Sequence, residues 1–555
     1  MTYERIDHQV DRTTSVNPEL ALNEIDKTRP QSEQLSDSQN DIVYIHGAKF
    51  WSICVAIAIM MFLVNLEVPV VITALVAITN DLQGFEDVGW VVSSYLLGYV
   101  GVIVICAKFS DIFGRKLIFL SSIVFFIVFS AACSAAQTMV QLIVFRAFQG
   151  IGGGGCWSLA TIIVTELVPP EQYAKFTANI SIVNAMALLL GPIIGGAIAS
   201  NATWRWIFII NVPIALLALA ISFCCIPKDF PHQDQPNHES KTPKPLFSRR
   251  TYYRIDMPGT VLTLFATLAL TAAFEEADKK FPWRSAYVIA LLTISGFLWI
   301  CLAIWERYVT LSNTTREPIL PWRFLLNREM MGILLNFALL GGPTVICMFI
   351  LPQRFQLVYG MSGLDAGVRL IPFTAVIPIG SIFASILAGK TKIPPVYLLL
   401  LGSALQVLGF TLIGTLPSTL YIPSSIYGSQ ILAGWGCGIN FSLLFILIPF
   451  VNEKRDHAVA LGAGSQFRFM GGAVVLAIAT SIFNSHVRPR LESQLSISNA
   501  DVLIQILPSL PQVLQEEARR ILGDGYSQQI LVLAVSAALQ IPATLLMWRK
   551  NQLRI

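Results

Sequence analysis

The sequence predicts an all-α polytopic membrane protein, a bundle of fourteen transmembrane helices. Of its 555 residues, 54% are hydrophobic and 13% are charged, whereas soluble domains have about 25% charged residues. Fourteen apolar runs are each long enough for a helix to cross the hydrocarbon core of a bilayer. Lys and Arg concentrate in every second connection between the runs, which indicates that successive connections lie on alternate sides of a membrane.

The chain begins with a polar stretch, 1–49, that is rich in Ser, Asn, Gln, Asp and Glu. It is predicted to be a disordered cytoplasmic tail, because it cannot bury enough apolar surface to fold. The first apolar run is too long for a secretory signal peptide, so we expect it to be retained as a span. The fourteen runs lie at 50–76, 88–107, 117–136, 139–163, 177–199, 205–226, 256–274, 285–305, 330–352, 365–388, 395–416, 425–451, 459–485 and 528–548.

A long polar connection, 227–255, follows the sixth run. It is basic and contains several prolines, and we interpret it as a cytoplasmic linker. The runs on either side of it then form two groups of six, with two extra spans inserted between the groups. The predicted divisions are an N-terminal six-span half (50–226), two inserted spans (256–305), a C-terminal six-span half (330–548) and a cytoplasmic C-terminus (549–555).

The distribution of Lys and Arg predicts the orientation. If both termini are cytoplasmic, the inward connections hold far more of these residues than the outward ones, as the positive-inside rule requires. The longest outward connection is then an outer loop at 486–527. Within it, Val502–Ile521 has apolar residues at near-helical spacing, interrupted by Pro508 and Pro511. We interpret this part as short amphipathic helices on the outer surface, or alternatively as a small extracellular cap.

Composition and motifs also exclude several classes of protein. A net charge of +4 is too small to indicate a nucleic-acid partner, and the nine cysteines lie in apolar runs. The sequence therefore predicts neither a disulfide framework nor a CxxC metal site. No P-loop, nucleophile–base pattern or paired-carboxylate site stands out. We predict that the protein is not an enzyme and that it needs no metal and no bound cofactor.

One arginine lies within the fourth apolar run, in the segment LIVFRAFQGIGGGG. Arg146 is followed by Gln149, Gly150 and the four glycines at 152–155. A guanidinium in hydrocarbon costs roughly 2.5–3.5 kcal/mol, so it normally faces a bundle interior or a water-filled cavity. The glycines let a neighbouring helix or a substrate approach the backbone. The segment therefore predicts a pathway, although an arginine that fixes helix packing is the alternative.

The first and fifth runs contain two further unusual segments. The first run, in LEVPVVITAL, carries a lone carboxylate, Glu67. An ionisable group inside a span is a functional-site hypothesis by default. Glu67 could carry a proton, or it could be neutralised by Arg146. The fifth run contains LGPIIGG, in which Pro192 removes a backbone hydrogen bond and Gly191 and Gly195 thin the helix. We expect this span to bend.

The turn after the second run, Ala107–Lys116, has the sequence AKFSDIFGRK. Asp111 is placed to meet a helix N-terminus or a cation across the interface between the halves. Gly114 permits a tight turn, and Arg115 follows it. A simple positive-inside turn would explain the basic residues but not the Asp-x-x-Gly-Arg pattern, for which a two-state latch is the alternative explanation.

These segments resemble motifs of the major facilitator superfamily. AKFSDIFGRK is similar to its GxLaDrxGRk loop, with Ala107 at the first glycine. The Arg146 segment is similar to its fourth-span motif, and the Pro192 segment to its fifth-span antiporter motif, gxxxGPxxGG. The Glu67 segment looks like the first-span motif LDxTvvnvALP of the fourteen-span drug:proton antiporter branch, with glutamate in place of aspartate. The resemblance covers roughly residues 45–550 and is greatest to fungal toxin-efflux pumps of the aflatoxin and trichothecene kind.

The resemblance implies a fold of two six-helix halves plus two inserted central spans. It also implies proton-coupled efflux of a small organic compound, such as a specialised metabolite, toxin or drug, by alternating access. An importer or facilitator of the same fold, for a siderophore or nutrient, and a membrane sensor without transport are the alternatives. The implied roles are proton coupling or pathway for Glu67, Arg146 and Gln149, a cytoplasmic latch for Asp111, Gly114 and Arg115, and an antiporter bend for Gly191, Pro192 and Gly195.

Further expectations concern location and modification. We expect a monomer in the plasma membrane, with the vacuolar membrane as the alternative and with the bilayer and a small-molecule substrate as partners. The proton gradient would supply the energy. Asn201 begins an Asn-Ala-Thr sequence in a predicted outward loop and is therefore a possible glycosylation site.

Overall fold

The structure of the protein is a computed structural model. It describes residues 44–83, 88–169, 172–228, 230–231, 253–278, 281–312, 316–417, 419–495, 511–550 and 552–553. Most of the predicted tail (1–49), most of the predicted linker (227–255) and the middle of the predicted outer loop lie outside the described residues.

Within the described ranges, fourteen helices are long and apolar enough to cross a membrane. The predicted fold class is therefore confirmed. In chain order the helices are α1 (Ala48–Leu82), α2 (Val88–Phe113), α3 (Arg115–Ala135), α4 (Met139–Leu167), α5 (Tyr173–Asn201), α6 (Trp206–Cys225), α7 (Met257–Glu276), α8 (Ala286–Leu311), α9 (Arg328–Leu357), α10 (Asp365–Lys390), α11 (Pro395–Gly414), α12 (Ser425–Val451), α13 (His457–Leu495) and α14 (Gln512–Leu545).

The first six and the last six helices repeat the same internal pairing. In the first six, α1 packs on α5 and α2 packs on α4. In the last six, α9 packs on α13 and α10 packs on α12. The two sets meet where α2 packs on α13 and α5 packs on α10. The chain therefore forms two similar six-helix halves.

The two remaining helices, α7 and α8, pack on each other, and α7 also packs on α2 and α13. Gln466 of α13 joins these three helices, since its Nε2 donates to Thr267 Oγ1 of α7 (2.9 Å) and its Oε1 accepts from the Val104 N–H of α2 (3.2 Å). The outer face of α8 is apolar and open, with Ile289, Phe297 and Ile304 between 52% and 66% exposed. Such a face is suited to contact with lipid.

The last two helices extend further into the predicted outer loop, 486–527, than the sequence indicated. Helix α13 continues to Leu495, and α14 already begins at Gln512. The second half of Val502–Ile521, predicted as separate amphipathic helices, is therefore the start of α14, and residues 496–510 lie outside the described residues.

Burial between the two extensions explains the difference. Val487 and Leu491 of α13 are buried in one cluster with Ile521 and Leu522 of α14. The apolar spacing that suggested a surface helix is thus the face with which α14 packs on α13. The spacing of apolar residues alone does not distinguish a helix that lies on the membrane surface from one that packs on a neighbouring helix. Both bury one face of an amphipathic helix.

Candidate functional site

A carboxylate on α1 and a guanidinium on α4 form an ion pair inside the first half. Arg146 Nη1 lies 2.6 Å from Glu67 Oε1, and the two residues are 0% and 2% exposed. Arg146 also donates through Nε to the Val91 carbonyl (2.9 Å) and through Nη1 to Gln149 Oε1 (2.9 Å). Removing one member of such a pair leaves the other as a buried, uncompensated charge. Protonation of Glu67 would therefore leave Arg146 as a buried cation without a counter-charge.

Two amide side chains complete the environment of Glu67. Gln149 Nε2 donates to Glu67 Oε1 (3.0 Å) and to Ser130 Oγ (2.8 Å), and Asn211 Nδ2 of α6 donates to Glu67 Oε2 (2.6 Å). Donors from α4 and α6 thus hold the α1 carboxylate. The sequence indicated Glu67, Arg146 and Gln149 as candidates, but it gave no site role to Asn211, an amide near the start of the sixth span.

The glycines of α4 set the distance between α4 and α2. A Cβ added to Gly150 would lie 2.1 Å from the Tyr95 carbonyl oxygen, and one added to Gly154 would lie 2.3 Å from that of Tyr99. On the other side, a Cβ on Gly98 would lie 2.1 Å from the Ala147 carbonyl oxygen. No side chain fits between these backbones. This close approach places Tyr95 against Arg146, with the Tyr95 ring centroid 4.4 Å from Arg146 Cζ.

A cavity of about 190 Å³ lies between the two halves. Helices α1, α2, α4 and α5 of the first half and α9, α10, α12 and α13 of the second half line it, and α7 also contributes to the lining. Tyr95 belongs to this lining and also contacts Arg146. The Tyr95 ring is therefore in contact with the ion pair and with the cavity. The lining is mostly apolar, and its polar side chains include Asn65, Asn184, Ser181, Thr344, Glu275 and Arg468.

A short π-helix, Gly342–Ile346, interrupts α9 at the cavity. It supplies Thr344, Val345 and Ile346 to the lining. Such π segments occur mostly as single turns inside α-helices and frequently lie at functional sites. The irregular backbone of α9 thus faces the same space as the Tyr95 ring of the first half.

Arg468 of α13 is a second cation beside this cavity, and it is 7% exposed. Within the described part of the chain, its guanidinium makes no hydrogen bond and no ion pair, and Nε is buried without a partner. Three aromatic rings surround it: Cζ lies 4.6 Å, 5.1 Å and 5.4 Å from the ring centroids of Phe469, Phe441 and Trp157. Arg468 was given no role in the sequence analysis.

The predicted latch residues are brought together at the end of the bundle where α2 meets α3, here called the basic end. Arg115 contacts Asp111 Oδ1 through Nη1 (2.5 Å) and Glu166 Oε1 of α4 through Nη2 (2.6 Å). Gly114 has a φ of +96°, which residues with a side chain rarely adopt. Asp111 was expected to contact a group across the half-interface, but its cation is Arg115 of the same half.

Lys108 of α2 makes an ion pair that reaches beyond the first half. Its Nζ lies 2.8 Å from Glu317 Oε2, and Arg254 Nη2 lies 2.6 Å from Glu317 Oε1. Glu317 belongs to the α8–α9 connection. Partial burial alone would raise the pKa of Glu317, but Lys108 and Arg254 outweigh burial and hold that pKa below its usual value. The basic end of α2 is thus tied to the segment that leads into the second half.

The predicted bend residues of α5 lie against α1. A Cβ on Gly191 would lie 2.5 Å from Pro69 Cβ, and one on Gly195 would lie 2.1 Å from Thr73 Oγ1. Helix α5 remains a single α-helix through Pro192. The glycines therefore allow close packing of α1 and α5 near Glu67.

Asn201, the possible glycosylation site, is the last residue of α5 and is exposed. Its Nδ2 donates to the Ala197 carbonyl (2.9 Å). Glycosylation of Asn201 stays a prediction.

Comparison with known proteins agrees with this architecture. The family model "Major Facilitator Superfamily" matches residues 53–276. The "MFS-type transporter FPY5" of Fusarium mangiferae is 37% identical over 497 residues, which is 88% of this chain and 82% of FPY5. The chain belongs to the major facilitator superfamily. It is therefore a membrane transporter of that superfamily and not an enzyme, as its motifs predicted.

Other relatives and a solved structure support this assignment. "Efflux pump aunC" of Aspergillus niger is 26% identical over 535 residues, which is 94% of this chain and 90% of that pump. The fold is also that of the proton:xylose symporter XylE, with a TM-score of 0.55 at 15% identity, over 90% of this chain and 95% of XylE. The relation to fungal transporters and efflux pumps that the motifs indicated is thus confirmed.

Proposed function

We propose that this superfamily member exports a small, mostly apolar organic compound in exchange for protons. The substrate would be a specialised metabolite, toxin or drug, bound between the halves and carried by alternating access. The proton gradient supplies the energy, and the mechanism requires no bound cofactor. The buried pair of Glu67 and Arg146, in contact with the Tyr95 ring of the cavity lining, is the observation on which the proposal rests.

The chemistry of coupling follows from the contacts of Glu67. When Glu67 is ionised, it accepts hydrogen bonds from Arg146, Gln149 and Asn211. A proton on Glu67 removes the charge that Arg146 compensates, so the pair loses most of its attraction. Arg146 then keeps its hydrogen bonds to Val91 and Gln149 but loses its counter-charge, so that it can reorient. Tyr95, which packs on its guanidinium, forms part of the cavity wall. Protonation of Glu67 can in this way change the shape of the binding site.

Alternating access requires that contacts at one end of the cavity open while the other end closes. At the basic end, a Cβ on Gly462 of α13 would lie 2.9 Å from Ala107 Cβ of α2. Gln466 also joins α13 to α2 there, and Lys108 binds Glu317. Opening of this end must break these contacts. The latch turn of Asp111, Gly114 and Arg115 lies directly beside them and would stabilise one of the two states.

Direction and location are part of the proposal. An efflux pump is among the similar proteins, and the glycines and proline of α5 match the antiporter motif. With the basic end cytoplasmic, as the positive-inside rule favours, both termini face the cytoplasm. Export to the cell exterior then places the protein in the plasma membrane, whereas the vacuolar membrane is the alternative. We expect the transporting unit to be a monomer, because each chain contains both halves.

The experiment uses a yeast host stripped of its own efflux pumps. Cells that express the full chain are loaded with a panel of toxins and fluorescent dyes, and retention is measured with and without a protonophore. The proposal predicts lower retention of at least one compound and reversal of that effect by the protonophore. Greater accumulation driven by the proton gradient would instead identify an importer. Binding of compounds by the purified protein without any flux would identify a sensor.

A further inference from the structure

The guanidinium of Arg468 indicates a chemical property of the substrate. A cation inside a transmembrane bundle is normally paired with a carboxylate or engaged by backbone carbonyls, because an isolated buried charge is costly. The other arginine near the cavity, Arg146, meets this expectation through Glu67 and Val91. Within the described residues Arg468 does not, since no hydrogen bond or ion pair satisfies its N–H groups, and Nε is buried without a partner.

The surroundings of Arg468 stabilise its charge only in part. Phe469 and Phe441 lie within 5.1 Å of Cζ, and Trp157 lies at 5.4 Å. Aromatic faces attract a cation and leave the N–H edge of the guanidinium unbonded. Tyr99 lies beside the group, in edge contact with Phe469 at 4.9 Å. The three aromatic rings therefore orient the guanidinium of Arg468 and leave its N–H groups available to hydrogen-bond another partner.

The cavity is the place from which that partner can come. Arg468, Phe469, Phe441 and Trp157 all belong to its lining, and they come from both halves. The carboxylate in the same lining, Glu275 of α7, accepts a hydrogen bond from Ser93 of α2 (3.0 Å). The rest of the lining is mostly apolar. A ligand that matches this space has an apolar body and one anionic group.

We infer that the transported compound is an amphiphilic organic acid whose carboxylate binds Arg468 within the ring of Trp157, Phe441 and Phe469. This inference rests on the proposed transport function and specifies its substrate class. Planar guanidinium and planar carboxylate form two parallel hydrogen bonds, which lysine cannot do. The aromatic rings also offer flat surfaces for an aromatic or polyene body. Binding neutralises the charge of Arg468, which no described residue pairs.

The test compares matched pairs of probes that differ in charge and little else. The purified full chain in detergent is titrated at pH 7 with 9-anthracenecarboxylate and with 9-anthracenemethanol, and with the corresponding naphthalene and biphenyl pairs. Binding is followed by fluorescence. We expect at least one acid to bind about tenfold or more tightly than its alcohol, since a single charge-assisted hydrogen bond is already worth about that much. Equal affinities within every pair, or no binding of any acid, would overturn the inference.

Variants identify the responsible residue. Arg468→Gln is expected to lose the preference for the acid, while its affinity for the alcohol changes less than about threefold. Arg468→Lys is expected to keep part of the preference for the acid. Arg455→Gln is the control, because it removes an equal charge from an exposed site next to Glu453. Size-exclusion profiles report whether each variant is folded. Persistence of the acid preference in folded Arg468→Gln would contradict the assignment.

Failure of this inference can be distinguished from failure of the transport proposal. The same acids and alcohols are loaded into the pump-deficient yeast host, and their retention is measured with and without a protonophore. Export of alcohols but not of acids would overturn the substrate class and leave proton-driven efflux intact. If the purified protein binds the acids but no compound shows proton-driven efflux, the transport proposal fails and the preference for an acid stands.

Discussion

Replacement of Glu67 by glutamine tests both the energetics and the function of the buried pair. The substitution keeps the size of the side chain and removes its charge, so Arg146 becomes a buried cation without a carboxylate. Breaking a buried ion pair in this way costs about 3–5 kcal/mol. With about 2.1 cal/mol/K of unfolding entropy per residue and 555 residues, we expect the melting temperature to fall by about 3–4 °C. Proton-driven efflux should be lost.

A double variant separates the two effects. In Glu67→Gln combined with Arg146→Gln, neither charge remains, so at least half of the lost stability should return while efflux stays absent. Asp81→Asn is the matched control, because Asp81 is an acid of the same helix whose side chain is 53% exposed and lies 3.4 Å from Arg205. Its melting temperature should change by less than about 1 °C, as is typical of exposed ion pairs.

Melting is measured on the purified protein in detergent, and efflux is measured as dye retention in the pump-deficient host. If Glu67→Gln melts at the same temperature as wild type and exports the dye equally well, the reasoning on the ion pair is refuted. A double variant that is no more stable than Glu67→Gln would show that the unpaired Arg146 is not the cause of the lost stability. Efflux by the double variant would show that coupling resides elsewhere.

Three further predictions concern the basic end, the helix interface and the carboxylate environment. Because the pKa of Glu317 is lowered in the folded protein, its stabilising effect is present above the usual glutamate pKa of about 4.3 and is lost as the pH falls through the folded value. The gap in melting temperature between wild type and Glu317→Gln should thus be constant above about pH 5 and close below about pH 4. Gly150→Ala should lower the melting temperature, since overpacking costs about 1–3 kcal/mol, whereas Gly296→Ala on α8, where a Cβ meets nothing within 4 Å, should not. Asn211→Leu should slow efflux while destabilising the protein less than Glu67→Gln does, and melting and retention assays together check this.

Much of the fold could be predicted because its signals are local. The span count follows from apolar runs, and the inserted pair follows from the position of the long connection after span six. The ends of α13 and α14 could not be predicted in the same way. Their extensions are partly polar, and Val487 becomes buried because it packs on a helix that begins beyond residue 511.

The site was predictable in its residues and less so in its contacts. Arg146 and Glu67 stood out, because charged residues are rare inside spans. Arg146 and Glu67 are 79 residues apart in sequence, and Glu67 and Asn211 are 144 residues apart. These contacts depend on how α1, α4 and α6 pack. The role of Lys108 in binding Glu317 was missed for the same reason. Arg468 was visible in the sequence, but the aromatic rings around it come from three helices of both halves.

The central claim is that outward movement of the compound is coupled to inward movement of protons through Glu67. The most direct measurement uses liposomes that contain the purified chain, a compound that the cells were shown to export, and a pH-sensitive dye. When the outside is made acidic, wild type should release the compound faster and the interior should acidify in proportion, whereas Glu67→Gln should do neither. Release accompanied by alkalinisation of the interior, or release with no change in internal pH, would contradict proton antiport.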